Sequence, residues 1–502
     1  MSTLQKLGYS CCAALLALLL IPWLVIYKRV PSLQWPKQGK SRSIERQILK
    51  FSHLPHEILV EIMKHIEWND VRSLRRCCRT LHSVSKDRDV WLSLLRRYCD
   101  TVIPRPFFLS KPLVLCSSED LEARIVNWWT GWEGLRPDTT QTFTTDGRIP
   151  GIWGPLCPLP GDQFFLYAGL DGTIFYCDPR QPNFSMHVLA SSPYPPNSRV
   201  DICVALDLLS TQDIDGVPTV SSEYSFEHRL FPPVFRLAVC RDDRRTGSVE
   251  IWEIRAQMDA TASVGYSAHR LKSFVDDTQA TCCSLLGDHV AYGTRAARTT
   301  RIVEWTSVSD GDPVRGIDIS IRGPDYILLL PHRRILVHNY DIFIADWKPR
   351  DLLDSPSHSA TRPQWKSLQG FSSPHPFTVP FYIDNSLRLV LYSGKLVGMM
   401  ISIDPGVAVS DSVALVQLAE CSVPVAHDER WFDYRKGVCN FRYRKRAHLL
   451  CYKWPGDSLP EASFSEVMLP ADGYTVYIDK ACTHSRVAMF INNRPCKSVF
   501  FG

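Results

Sequence analysis

At 502 residues the chain is longer than one hydrophobic core usually organises, so two or three domains are expected. Hydrophobic residues make up 45% and charged residues 22%, values that exclude a disordered chain and a multi-span membrane protein. The net charge of +5 is too small for the dense basic face that nucleic-acid binding requires.

The chain opens on YSCCAALLALLLIPWLVIY (residues 9–27), an uncharged run long enough to span roughly 30 Å of hydrocarbon as a helix. Trp23 and Tyr27 lie near one end, where amphipathic rings favour the lipid interface, and Pro22 is tolerated in membrane helices. Only Lys6 precedes the run. Lys28, Arg29, Lys37, Lys40 and Arg42 follow it, with no acidic residue before Glu45. Residues 1–30 are therefore expected to form a single membrane anchor that leaves the rest on the cytosolic face, or else a buried helix in a cytoplasmic protein. No small-x-small cleavage site follows, which argues against a signal peptide. Residues 31–50 are polar, basic and proline-punctuated, and read as a linker.

From Phe51 the period becomes helical. Pro55 stands at a first turn, where its missing N–H costs nothing, and Glu57 favours the positive end of the helix dipole. Leu54, Ile58, Leu59, Ile62, Met63 and Ile66 follow at steps of three and four. Asn69 or Asp70 is the expected cap of a second helix carrying Val71, Leu74 and Leu81. A third is expected from Asp87 or Asp89, with Val90, Trp91, Leu94, Leu95 and Tyr98 as its apolar side. About fifty residues make a small core, and an apolar stripe wider than such a bundle can cover points to a protein contact surface.

Residues 51–98 resemble an F-box. The opening is Leu54-Pro55-His56-Glu57-Ile58-Leu59, followed by Ile62 and Ile66, by Asp70-Val71 with Leu74, and by a closing Asp87 or Asp89 with Trp91. Leu81-His82 departs from the pattern, which often has an aromatic there. The resemblance implies docking on a Skp-type adaptor, and through it on cullin and RING subunits. It also implies that Leu54, Pro55, Ile58, Leu59, Ile62, Val71 and Leu74 fill the adaptor groove, with Trp91 anchoring the closing edge. Arg72, Arg75, Arg76 and Arg79 either steer toward an acidic adaptor or form a solvated face.

Residues 99–159 read as a connecting region, in which Trp128, Trp129 and Trp132 mark a helix end packed against the next domain. From 160 to 502 the period is strand-like. QFFLYAGLDGTIFYCDP reads as strand, Asp171-Gly172 turn, strand, and the same grammar returns in runs ending at Trp252, Trp305 and Trp347 and in three weaker runs after them. Spacings of about 40–55 residues suit propeller blades, roughly six to eight of them. Gly247-Ser248-Val249-Glu250-Ile251-Trp252-Glu253 resembles the closing strand of a WD-type repeat. The fold class expected is thus α+β multidomain: a small all-α module followed by a large all-β, propeller-like domain.

Nothing assigns a catalytic residue, cofactor or metal. P-loop, nucleophile-elbow, zincin and dinucleotide motifs are absent from the sequence. The seventeen cysteines include no C-x-x-C, and the adjacent pairs (Cys11–Cys12, Cys77–Cys78, Cys282–Cys283) cannot close a zinc set, so free thiols in a reducing compartment are expected. His53, His56 and His65 lack partners at metal spacing. Asp242-Asp243 and Asp276-Asp277 sit in turn contexts. The expected role is a non-catalytic substrate receptor of a Skp–cullin–F-box ubiquitin ligase, holding an unknown protein substrate with its β domain. The alternatives are an F-box scaffold acting outside the ligase and a secreted or lumenal β-propeller hydrolase, which would use glycan at Asn183 and disulfides.

Overall fold

The computed structural model of the chain describes residues 54–101 and 109–130 and, from 141 to 500, the strands with most of their connections. The apolar segment 9–27, the linker 31–50, Asn183 and the side chains of Trp128, Trp129 and Trp132 lie outside the described residues. Among the described residues no helix is long and apolar enough to cross a membrane.

Among the described residues five helices precede the strands: α1 (His56–His65), α2 (Trp68–Arg75), α3 (Arg79–Val84), α4 (Arg88–Thr101) and α5 (Ser118–Thr130). α1 starts after Pro55, whose carbonyl accepts the Ile58 and Leu59 N–H groups at 3.1 Å. It turns Leu59, Val60 and Met63 inward. Ile66 is extended and ends the helix, and the Arg97 guanidinium donates to the carbonyls of Lys64 (2.8 Å) and Ile66 (2.9 Å) that the helix leaves unpaired. α2 begins at Trp68 after Glu67, two or three residues earlier than a cap at Asn69 or Asp70 would place it. That earlier start lets Trp68 and Val71, three residues apart, share the buried face. α4 follows Asp87, whose Oδ1 accepts the Asp89 N–H at 2.9 Å. α5 is entered through a reciprocal box: Asp120 Oδ2 accepts from Ser117 N at 2.8 Å, and Ser117 Oγ accepts from Asp120 N at 3.1 Å.

The β region forms seven four-stranded antiparallel sheets. Blades one to six each use four consecutive strands, within residues 152–190, 201–276, 278–319, 326–366, 381–419 and 430–468. Blade seven takes three strands from 477–500, and its outermost strand is Gln141–Thr144, antiparallel to Lys497–Phe500. Apolar cores fill the seams between blades one and two, two and three, three and four, and four and five. The innermost strand of blade seven lies against those of blades six and one, which closes the ring.

The runs that the turn grammar singled out are blade strands, and the first turn has its glycine at φ +94°. The β region begins before residue 160, because Gln141–Thr144 and Ile152–Pro158 are strands. The second of these reads IWGPLCP, with two register shifts against its neighbour; its prolines and bulges mask the alternating pattern. The connecting region 99–159 thus supplies a helix and two strands.

Of the tryptophans that end these runs, Trp252 is partly buried against the core and the others lie within it. Trp305, Trp347 and Trp454 are buried, and the guanidiniums of Arg236, Arg333 and Arg388 lie 5.3, 5.9 and 5.4 Å from their ring centroids. Trp454 packs across the seam between blades six and five, so close to Gly398 that a Cβ there would stand 2.5 Å from its Cζ3. Between blades one and two, fully buried Arg241 donates to the Gly172 carbonyl at 2.9 Å and pairs with the Glu250 carboxylate, which also accepts from Trp252 Nε1 at 2.9 Å. Asp242 and Asp243 cap the turn beyond it, accepting from Arg244 N and Arg245 N at 2.6 and 2.8 Å.

Candidate functional site

The helical module divides the sequence-expected contact residues into two sets. Leu59, Val71 and Trp91 are fully buried in this chain and form the module's interior. Trp91 Nε1 donates to the Ser85 carbonyl at 2.8 Å, which ties the start of α4 to the end of α3. Ile58 and Ile62 are half-buried, four residues apart on α1 beside the buried row, and half-buried Ile66 follows just past the end of the helix. Leu54 and Leu74 are likewise half-buried, and Pro55 is exposed. Leu54, Pro55, Ile58, Ile62 and Leu74 therefore offer apolar surface, and the other three hold the frame beneath it.

The arginines also divide. Arg75 is committed to the module: its two terminal nitrogens donate to the Glu122 carboxylate at 2.8 and 2.7 Å, its Nε reaches Ser85 Oγ at 2.8 Å, and its guanidinium lies 5.8 Å from the Trp91 ring centroid. Glu122 sits on α5, beyond the stretch that resembles an F-box. Leu121 and Ile125 of α5 are fully buried, and Arg88 of α4 holds the carbonyls of Leu113 (2.8 Å) and Cys116 (3.1 Å) in the turn that leads to α5. The helical module consequently includes α5. Arg76 and Arg79 are exposed, and Arg72 is half-buried against Trp68. His56 meets Asp87 at 3.3 Å and His65 meets Glu61 at 3.4 Å.

A second cluster lies in the seam between blades two and three. Cys203 is on the inner strand of blade two (Asp201–Asp207), Cys240 on the neighbouring strand (Val234–Asp242) and Cys283 on the inner strand of blade three (Thr278–Leu286). Their three Sγ atoms all lie within 4.8 Å of one another, and all three are free thiols. Hydrogen bonds from Cys203 and Cys283 draw the Cys240 thiol down to about 5 against the effect of burial, with the neighbouring Arg241 charge assisting. Cys203 is pushed up by its bonds to Cys240 and Cys283 and by burial. Cys283 is pushed up as well: its bond to Cys203 pulls the other way, but the bond to Cys240 and burial outweigh it. The adjacent Cys282 points into the opposite seam, with its thiol toward the Pro324 carbonyl at 3.2 Å, as strand alternation requires. Motif spacing could not reveal this trio, because its members come from three strands and two sheets.

The F-box-like family model matches residues 51–97. No curated protein matches the chain by sequence. Among solved structures, the β-propeller domain of Cps50 (Swd1) from Myceliophteria thermophila is 9% identical, covers 72% of this chain and 100% of its own, and has a TM-score of 0.41. The WD40 domain of SCAP from fission yeast is 10% identical over 73% of this chain and 99% of its own, at a TM-score of 0.34. The computationally designed Ika8 protein is 10% identical over 71% and 98%, also at 0.34. The fold is defined by the strand order rather than by these likenesses. The chain carries an F-box-like domain at residues 51–97, followed by seven four-stranded sheets arranged as the blades of a β-propeller.

Proposed function

We propose that the chain is the substrate-receptor subunit of a Skp–cullin–F-box ubiquitin ligase. The observation that carries this reading is the apolar surface of half-buried Ile58 and Ile62 on α1, with half-buried Leu54, Ile66 and Leu74 and exposed Pro55, on an F-box-like module whose interior is already filled by Leu59, Val71 and Trp91. A Skp-type adaptor covers that surface, and Arg72, Arg76 and Arg79 favour an acidic partner. Cullin and RING subunits join through the adaptor. The receptor performs no covalent step. It raises the effective concentration of a protein bound to the β region beside the ubiquitin donor.

The test is recovery of the adaptor with the full chain and with an Ile58→Glu, Ile62→Glu variant, which alters surface positions and leaves the module's interior intact. The variant is expected to bind about 30-fold or more weakly, the loss carried by a hot spot of about 2 kcal/mol. Equal recovery with both, or none with the folded wild type, would refute the reading. Adaptor-dependent turnover of a protein captured by the β region separates a receptor from a scaffold outside the ligase.

A further inference from the structure

The thiol trio has no part in adaptor docking, yet its geometry is that of a ligand set. We propose that Cys203, Cys240 and Cys283 form a three-sulfur site for a soft monovalent cation, copper(I), bridging blades two and three.

The donor set chooses the ion. Among the described residues the cluster holds three sulfurs and no imidazole or carboxylate. Soft thiolate donors select copper(I) or zinc over harder ions. Structural zinc sites are almost always four-coordinate, so three sulfurs leave zinc one ligand short, whereas copper(I) is satisfied by a trigonal set. Planar metal–sulfur bonds of about 2.3 Å hold their sulfurs about 4 Å apart, within the 4.8 Å limit already observed.

The surroundings suit such an ion. Cys240 is fully buried among Ala238, Val249, Phe274, Leu285 and Val290, an apolar lining that keeps competing donors away. Cys203 and Cys283 are half-buried as residues while Cys240 is buried, so the trio lies at the margin of the seam core rather than at its centre. A register shift between Gln279 and Cys283 breaks the inner strand of blade three just where Cys283 turns toward blade two. Bulges of this kind re-aim side chains. Binding forms three sulfur–copper bonds with no change in oxidation state, and each thiol that becomes a ligand releases its proton to solvent.

The test uses the full chain, reduced and metal-free, titrated anaerobically with copper(I) held by a chromophoric chelator, and in parallel with zinc(II). One copper(I) per chain is expected, with three sulfur neighbours by X-ray absorption. Cys203→Ser, Cys240→Ser and Cys283→Ser should each weaken binding by more than the roughly 10- to 100-fold that removing a ligand's own hydrogen-bond partner costs. Cys77→Ser, on the exposed surface, should not. Mass-spectrometric mapping of alkylation on the wild type does not depend on the variants folding: copper(I) should shield Cys203 and Cys283 and leave Cys77 reactive. No uptake by the folded wild type, unchanged alkylation, preference for zinc(II), or a disulfide within the trio would each overturn the assignment.

Discussion

Removing Glu122 tests whether α5 belongs to the helical module that contains the F-box-like stretch. Both members of the Arg75–Glu122 pair are about one-fifth exposed at the side chain, at 20% and 19%. An exposed pair contributes about 0–1 kcal/mol and breaking a fully buried one costs about 3–5 kcal/mol. The geometry here is bidentate, at 2.8 and 2.7 Å. Glu122→Ala leaves Arg75 its Ser85 contacts but strips the carboxylate from a largely buried cation, so about 2–3 kcal/mol is expected, between those limits. The assay is amide hydrogen exchange on the full chain, which reads local opening without requiring two-state unfolding of a multidomain protein. Exchange in α2 and α5 should accelerate roughly 30- to 140-fold while the blades stay unchanged. Arg75→Ala should behave similarly, and the double variant should show a coupling of about 1–2 kcal/mol. Additive effects, or acceleration confined to α5, would refute a module that includes α5.

Three further outcomes are expected. Gly398→Ala places a Cβ 2.5 Å from Trp454 Cζ3 and 3.0 Å from Leu418 Cδ2. It should cost about 1–3 kcal/mol by overpacking, read as a lower Tm, with Trp454→Phe restoring part of the loss. Glu250→Ala abandons the fully buried Arg241 and should cost about 3–5 kcal/mol, whereas Arg241→Met with Glu250→Leu should cost much less; equal losses in a melting series would contradict that account. Ser117→Ala removes one half of the α5 capping box and should cost about 1 kcal/mol, seen as faster exchange in its first turn. Burial raises the Asp120 carboxyl in that box, but hydrogen bonds from Lys111 and Ser117 outweigh it and hold the group below its ordinary 3.8. Its contribution is therefore complete above that value and lost as pH falls below it, and exchange measured across that range should show the loss in the wild type and not in Asp120→Asn.

The helices were legible because their signals are local: Pro55, Glu57 and the three-and-four spacing of Ile58, Leu59, Ile62 and Met63 lie within one short window. Burial at single positions was less so. The stripe contained both Leu59, which is interior, and Ile62, which is half-open, and only the packing of α4 and α5 against α1 and α2 separates them. Val60 and Trp68 are buried without having stood out in the sequence. The strand runs marked the blades, but not their number, because blade seven borrows Gln141–Thr144 from a stretch lacking strand grammar. The thiol trio was invisible for the same reason: register between distant strands is not written in the spacing of either one.

The pairing of Gln141–Thr144 with Lys497–Phe500 has a consequence in time. The helix-to-helix contacts described above join residues within 54–130, so the helices can pack early as the chain emerges from the ribosome, whereas the Leu109 N–H, which pairs with the Leu230 carbonyl at 2.7 Å, waits for the β region. The ring cannot close until residues 497–500 have been made, and pairings between remote segments form slowly. A nascent chain therefore presents a packed set of helices while its β region is still an open array, with Gln141–Thr144 waiting for its partner.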